Sequence, residues 1–278
     1  MSEITTSDFG EISVEDRDCP HCGTNNDDVD PSSYSDGNWQ IRDCRTCGFV
    51  YIDKAPLYSY LSEEMAWEVT TKAEEARRKK IRPLSYKVSK LSRWRLHMFP
   101  RKGVPHLIAA NAEPGNILDI GCGDGLQLNG LAESFVPHGI EISKGLAATA
   151  DGLFKKQGGF VINAPAVVGI KHFADNFFSA VNLRSYLEHE MHPFEVLTET
   201  YRALCPGGVA LIKVPNFGSL NRMVMGKRWC GFRYPDHLNY FTARSLKKMG
   251  EKCGFLVSYG VKGRIPTNDN LHAVFTKP

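Results

Sequence analysis

The stretch ILDIGCGDG, residues 117–125, places three glycines at alternate positions directly behind an apolar run that ends in an aspartate. Residues 117–120 have the pattern of a short buried strand, and an imperfect helical stripe of apolar side chains follows Gly125. The local prediction is therefore a strand, a glycine turn and a helix. Glycines in such a turn can adopt positive φ and let a ligand approach the backbone with no Cβ in the way.

Acidic side chains distinguish this turn from the usual dinucleotide-binding turn. Asp119 precedes it and Asp124 lies inside it, and both carboxylates would repel a phosphate. They suit a positively charged ligand, such as one with an ammonium and a sulfonium group. A second apolar strand ends at Glu141, where nucleotide-binding α/β folds bind a ribose diol. The expected ligand is a nucleoside without phosphates and with a cationic tail.

With these two strands the chain resembles the class I S-adenosylmethionine-dependent methyltransferases. Three further stretches match the pattern of that family, and they are residues 176–185, 187–216 and 234–255. The resemblance covers about the last two thirds of the chain. It implies an α/β fold with a Rossmann-like, doubly wound sheet of seven strands, and S-adenosylmethionine as the cofactor.

The resemblance also assigns residues to the cofactor. It implies that Glu141 binds the ribose and that Asn163, at the end of the third strand, binds the adenine amine. Leu183 and Arg184, at the end of the fourth strand, are expected beside the cofactor. The predicted cofactor-binding residues are Asp119, Gly121, Gly123, Gly125, Glu141, Ile142, Asn163 and Leu183.

Two C-x-x-C-G hooks, residues 19–23 and 44–48, predict a metal site near the N-terminus. Each hook can turn two thiolates toward one tetrahedral centre. The spacing is typical of a zinc ribbon, with a redox pair or a disulfide clamp as alternatives. Four cysteine ligands leave no open position, so the zinc is expected to be structural and the ribbon independent of cofactor binding. The predicted ligands are Cys19, Cys22, Cys44 and Cys47.

Length and composition allow an α/β domain plus a small module, since the chain has 278 residues of which 42% are hydrophobic and 23% charged. No run approaches the roughly 18 apolar residues of a membrane span, and the acidic N-terminus does not resemble a signal peptide. The cysteine pattern fits a reducing cytoplasm. The predicted division is an acidic, disordered tail (1–18), a zinc ribbon (19–54), a basic helical connector (55–104) and a methyltransferase domain (105–278).

The positive charge of the chain is local. Residues 72–102 hold twelve Lys or Arg against two Glu, whereas the net charge of the whole chain is +3. This segment can be the solvated face of a packed helix, a recognition element for an anionic substrate, or a surface for RNA phosphates. The sequence does not choose among these three.

Candidate catalytic residues lie in the motifs that match the family. Methyl transfer from a sulfonium has an excellent leaving group, so the main task of the protein is positioning. A hydroxyl acceptor also benefits from a general base, for which Glu188, His189 and His237 are the candidates. Glu188 and His189 can instead cap the following helix. In some ubiquinone-type O-methyltransferases this Glu-His region meets a divalent cation, but Ser185 and Tyr186 replace the acidic partner here.

The leading interpretation is a cytoplasmic enzyme that methylates a small molecule, on oxygen, in a biosynthetic pathway. The first alternative is an RNA methyltransferase that uses the ribbon and the basic segment. The second is a non-catalytic binding module on a methyltransferase fold, against which the intact glycines and Glu141 argue. The sequence specifies neither the methyl acceptor nor the oligomeric state.

Overall fold

The computed structural model describes residues 13–58, 103–260 and 267–278, so the basic segment 72–102 lies outside the described residues. The first range forms short strands. They are β1 (Val14–Asp16), β2 (Ile41–Asp43), β3 (Val50–Ile52) and β4 (Lys54–Pro56). β1 pairs with β4, and β2 pairs with β3, both antiparallel.

The end of the predicted tail is ordered. Residues 14–16 form β1, and the Arg17 side chain behind it is only 8% exposed. Its guanidinium donates hydrogen bonds to the carbonyl oxygens of Ile52 (3.1 Å) and Met191 (2.8 Å) and to Oδ1 of Asn239 (3.1 Å). A buried guanidinium needs such acceptors. The prediction of a disordered tail that extends to residue 18 is therefore wrong from residue 14 onward.

The body of the molecule is a seven-stranded sheet, as predicted. Its strands are β5 (Gly115–Ile120), β6 (Phe135–Glu141), β7 (Val161–Asn163), β8 (Phe178–Arg184), β9 (Leu204–Pro215), β11 (Leu256–Tyr259) and β12 (Asn270–Thr276); β10 (Asn239–Tyr240) lies outside this sheet. The order across the sheet is β11-β12-β9-β8-β5-β6-β7, and β12 runs antiparallel to both neighbours. The order reverses between β5 and β8, where open α/β sheets bind ligands at the carboxyl ends of their strands.

Helices and two apolar cores cover the sheet. The helices of the described residues are α1 (Val104–Ala109), α2 (Lys144–Phe154), α3 (Ala166–Gly169), α4 (Pro193–Ala203), α5 (Leu220–Met225) and α6 (Ala243–Lys252). Ile117 belongs to one core and Leu118 to the other, because successive side chains of a strand face opposite sides. Thr242 caps α6 through a capping box with Ser245. Among the described residues, no helix has the length and apolar character that a membrane crossing requires.

One local prediction differs from the structure. The helix expected after the glycine turn is a single 3-10 turn, Leu126–Leu128, because Asn129 leaves the helical region (φ −60°, ψ 129°) and Gly130 has a φ of 82°. β9 begins at Leu204, directly after α4.

The ribbon is joined to the body by a shared sheet. β3 pairs with β10, so that β10, β3 and β2 form one sheet. The amide of Ile52 donates to the carbonyl of Leu238 (2.9 Å), and the Phe49 and Phe241 rings lie 5.2 Å apart. The ribbon therefore supports the segment that directly follows His237.

Candidate active site and cysteine cluster

The four predicted cysteine ligands come together. The Sγ atoms of Cys19 and Cys47 are 3.5 Å apart, as are those of Cys22 and Cys44, and all four lie within 4.8 Å of one another. This spacing fits four thiolates around one tetrahedral zinc ion. His21 is not part of the group; its ring packs against other aromatic rings at 6.2 Å.

The turn after β5 contains three glycines at positive φ, two of which pack closely against aromatic rings. Gly121, Gly123 and Gly125 have φ values of 69°, 56° and 80°. A Cβ on Gly121 would lie 2.7 Å from the Tyr186 ring, and one on Gly125 would lie 3.1 Å from the Phe154 ring. A Cβ on Gly123 would meet nothing within 4 Å, so the turn presents bare backbone to open space there. A ligand can therefore approach Gly123 closely.

Glu141 lies where the turn and the end of β6 meet. Its side chain is buried; Oε2 accepts from the Gly123 amide (2.8 Å) and Oε1 from the Ser143 amide (2.9 Å). A carboxylate oxygen can accept more than one hydrogen bond, so this geometry suits a ribose diol. Asn163 faces Glu141 in the β6–β7 register, and its amide donates to the carbonyls of Glu141 (2.8 Å) and Ile142 (2.9 Å). Asn163 thus holds the end of β6 in place.

Asp119 lies behind the turn and has a partner that sequence reasoning missed. Its side chain is 1% exposed, and Oδ1 accepts from Nδ2 of Asn182 at 2.6 Å. Oδ2 has no hydrogen-bond partner among the described residues. Burial, reinforced by the charge of Glu141, raises the pKa of Asp119 to about 7.

A cavity of about 870 Å³ opens above the turn. The predicted residues that line it are Gly121, Gly123, Glu141, Ile142, Glu188, His189 and His237. The predicted residues outside its lining are Asp119, Gly125, Asn163 and Leu183. Leu183 is fully buried in a core, whereas its neighbour Arg184 lines the cavity. The alternation of side chains along β8 explains the difference.

One wall of the cavity brings the three catalytic candidates together. Nδ1 of His189 lies 2.8 Å from the carbonyl of Asp236 and 3.0 Å from its Oδ1. The His189 and His237 rings are 4.7 Å apart, and Nδ1 of His237 lies 2.9 Å from the carbonyl of Gly231. Nε2 of His189 lies 4.0 Å from Oε1 of Glu188. Sequence reasoning missed Asp236, although it stands directly before His237.

The two histidines carry different charges. Burial favours a neutral His189, but the carboxylates of Asp236 and Glu188 outweigh burial and raise its pKa to about 9. Burial, together with the positive charge on His189, lowers the pKa of His237 to about 3. At neutral pH His189 is therefore an imidazolium and His237 is neutral. Because a carbonyl can only accept, Nδ1 of His237 holds the proton and Nε2 the lone pair.

Glu188, His189 and His237 also resemble a metal-ligand set. One potential ligand atom of each lies within 4.8 Å of the others, and Oε2 of Glu188 has no hydrogen-bond partner among the described residues. Burial raises the pKa of Glu188. A cation could bind Nε2 of His189 only after that nitrogen releases its proton, whereas the Nδ1 hydrogen bond to Asp236 could remain.

A second carboxylate in the wall is held by tyrosines. The hydroxyls of Tyr58 and Tyr186 each donate a hydrogen bond to Glu190. All three residues line the cavity. Sequence spacing does not indicate this contact, since Tyr58 and Glu190 are 132 residues apart. The segment that follows the ribbon thus contributes directly to the site.

Comparisons with known proteins show the family of the chain. A family model described as a methyltransferase domain matches residues 92–258, more than half of the chain. Similar solved structures include an S-adenosylmethionine-dependent methyltransferase from Thermotoga maritima, described as a possible histamine N-methyltransferase (20% identity, TM-score 0.49, 69% of this chain and 96% of that chain). Another is a TehB-like methyltransferase from Corynebacterium glutamicum (19% identity, TM-score 0.48, 70% of this chain and 99% of that chain). No curated protein matches the chain significantly. At these identities neither neighbour's activity carries over.

Proposed function

Because the chain belongs to the family of methyltransferase domains, we propose that it transfers the methyl group of S-adenosylmethionine to a hydroxyl oxygen of a small molecule. The environment of His237 supports oxygen as the atom that accepts the methyl group. This residue is neutral and lines the cavity, and its Nδ1 proton is held by a backbone carbonyl. We also propose that the enzyme is cytoplasmic and acts in a biosynthetic pathway, and that it consists of a structural zinc ribbon (19–54) and a methyltransferase domain (105–278).

The cofactor half of the cavity lies over the glycine turn. Glu141 would accept hydrogen bonds from the ribose hydroxyls, and Gly121 and Gly123 would let the nucleoside approach the backbone. The carboxylates of Glu141 and Asp124 would favour a cationic ligand. When bound, the cofactor supplies an electrophilic methyl group on a sulfonium. The chain's own task is to hold the acceptor oxygen in line with that methyl.

In the acceptor half, His237 would take the hydroxyl proton on Nε2. Its low pKa keeps it unprotonated at neutral pH but also makes it a weak base. Positioning, which can supply roughly 7 to 11 kcal/mol, is therefore the larger contribution, and so weak a base adds at most the low end of the usual factor, about 10². Asp236 fixes His189 beside His237 and so orients this wall.

The RNA alternative has less support among the described residues. Two strands of the ribbon belong to the sheet that contains β10, and its Phe49 packs against Phe241. The ribbon is therefore a wall of the body rather than a separate arm. The basic segment 72–102 lies outside the described residues, so only the sequence supports the RNA alternative.

A labelled-methyl assay tests the proposal. Purified protein is incubated with S-adenosylmethionine carrying a labelled methyl, with a panel of hydroxylated small molecules or with total RNA. We expect label in a small molecule, and His237→Gln should reduce the rate by up to roughly 10²-fold without weakening S-adenosylhomocysteine binding. His106→Gln, at an exposed position outside the cavity lining, is the matched control. Label in RNA alone would support the alternative instead.

A further inference from the structure

Basic side chains stand side by side on neighbouring strands of the main sheet. Arg184 on β8 is in register with Lys213 on β9, and Lys213 is in register with His272 on β12. Residues in register have Cβ atoms about 5 Å apart on the same face of the sheet. Nη1 of Arg184 lies 3.5 Å from Nδ1 of His272. The three form a basic row near the reversal of strand order.

Two members of this row line the cavity, namely Arg184 and Lys213. Lys213 donates to Oγ of Ser185 (3.2 Å), and its charge favours ionised Glu188. Arg184 has no ion pair with a carboxylate of the described residues, and its one hydrogen bond among them is to the His272 ring. Burial lowers the pKa of Arg184, because the charged guanidinium is partly removed from water.

Three carboxylates of the cavity lining already have other partners. Asp236 pairs with His189 and Arg233, at 3.0 and 2.8 Å. Glu190 accepts from two tyrosine hydroxyls. The partners of Asp269 are Ser219, Asn221 and Trp229, at 3.0 to 3.1 Å. None of these three carboxylates neutralises Arg184.

A half-buried guanidinium beside another cation is unfavourable unless an anion joins it. The planar fork of arginine matches a carboxylate or a phosphate through two parallel hydrogen bonds. Lysine in the adjacent position adds a second charge to the same anion. The arrangement therefore has the chemistry of an oxyanion site that is complete only with its ligand.

We propose that Arg184 and Lys213 form a subsite for an oxyanion, a carboxylate or a phosphate, carried by the methyl acceptor. This inference rests on the proposed function, because it needs a small-molecule acceptor in the cavity. It places the anionic group at the ends of β8 and β9, whereas Glu141 and the glycine turn hold the cofactor at β5 and β6. The competing occupant is the carboxylate of the cofactor itself.

The test uses the full chain saturated with S-adenosylhomocysteine, so that the cofactor site is filled. Sodium phosphate, pyrophosphate and succinate are added separately, with ionic strength held constant by sodium chloride. The thermal midpoint of unfolding and the oxyanion affinity are measured. We expect an oxyanion to raise the midpoint of the wild type, and Arg184→Gln to weaken its binding roughly 10- to 100-fold. Arg228→Gln, which removes an exposed arginine outside the cavity lining, should bind the oxyanion like the wild type.

The outcomes separate this inference from the proposed function. Stabilisation by phosphates alone, lost in Arg184→Gln, supports the inference and specifies a phosphate; stabilisation by succinate alone specifies a carboxylate. No oxyanion effect in the wild type, or an equal effect in Arg184→Gln, overturns it. Tenfold weaker S-adenosylhomocysteine binding by Arg184→Gln also overturns it, because Arg184 would then bind the cofactor. A wild type that fails to bind S-adenosylhomocysteine would instead overturn the proposed function.

A second variant covers the case in which Arg184→Gln does not fold. Arg184→Lys keeps the positive charge and loses the two-pronged geometry. We expect it to bind the same oxyanion several-fold more weakly than the wild type, with unchanged S-adenosylhomocysteine affinity. Wild-type oxyanion affinity in Arg184→Lys, combined with a structural failure of Arg184→Gln, would mean that Arg184 serves folding and would overturn the inference.

Discussion

Replacing Asp236 by Asn should destabilise the protein in a way that depends on pH. Oδ1 of Asp236 lies 3.0 Å from Nδ1 of His189, and Oδ2 lies 2.8 Å from Nη2 of Arg233. Asn keeps the shape of the side chain and removes the charge. His189 would then lose the larger of the two carboxylate effects that raise its pKa to about 9.

The expected loss follows from that pKa. The rise from 6.5 to about 9 corresponds to about 3 kcal/mol of favourable interaction with the protonated ring. The His189 side chain is 29% exposed, so solvent screens part of this, and we expect a loss of about 1 to 2 kcal/mol. The interactions of protonated His189 stabilise the folded protein fully below pH 6.5, the pKa of the histidine in the unfolded chain. This stabilisation is lost as pH rises through about 9, its pKa in the folded protein. The pKa of Asp236 is held well below its usual range, and its stabilisation is lost only as pH falls through that lower value.

Denaturant unfolding of wild type and Asp236→Asn between pH 5 and 10 measures this difference. Asp175→Asn is the matched control, because Asp175 also pairs with an arginine, at 2.6 Å, but its side chain is 70% exposed. The control should lose no more than about 0.5 kcal/mol at every pH. We expect the Asp236→Asn deficit to be largest near pH 6 and to shrink toward pH 10. A deficit equal to the control, or one that grows with pH, would refute the charge assignment of this wall.

Three further changes have defined outcomes. As pH falls from 7 to 5, the stability of His237→Gln relative to the wild type should rise by up to about 2 kcal/mol, because the wild type must keep a histidine of pKa about 3 unprotonated. Parallel pH profiles of the two proteins in denaturant unfolding would contradict this. Removing zinc with a chelator should unfold the ribbon and raise hydrogen exchange in residues 237–241, because β3 pairs with β10, while S-adenosylhomocysteine affinity stays within about threefold; unchanged exchange there would show that the ribbon is independent. Gly121→Ala should cost about 1 to 3 kcal/mol, because φ is 69° and the new Cβ would lie 2.7 Å from the Tyr186 ring; Gly145→Ala, which meets nothing within 4 Å, is its control in thermal unfolding.

The main sheet could be predicted because its signals are local. The run that ends at Asp119, the glycine turn and the strand that ends at Glu141 each appear as short apolar patterns followed by a special residue. The cysteine cluster could be predicted for the same reason, since two hooks with fixed internal spacing specify four ligands. Local signals failed after Gly125, where the apolar stripe was imperfect and Gly130, at positive φ, follows a single 3-10 turn.

The rest of the site depends on contacts between distant segments. The ordered Arg17, the pairing of β3 with β10 and the Tyr58–Glu190 hydrogen bond each join the ribbon region to residues beyond position 187. No periodic pattern in either segment predicts these contacts. The charges of His189 and His237 likewise depend on burial and on the contact with Asp236. Neither can be predicted from the residue types alone.

Calorimetric titration with S-adenosylhomocysteine tests whether the chain has the cofactor site that the turn and Glu141 together define. The wild type should bind one molecule per chain. Glu141→Ala should lose about 2 to 3 kcal/mol, or roughly 30- to 150-fold in affinity, as charge-assisted hydrogen bonds to the ribose disappear. The control Glu133→Ala, an exposed acid outside the cavity lining, should bind like the wild type. No binding by the wild type, or the same affinity in Glu141→Ala as in Glu133→Ala, would contradict the account.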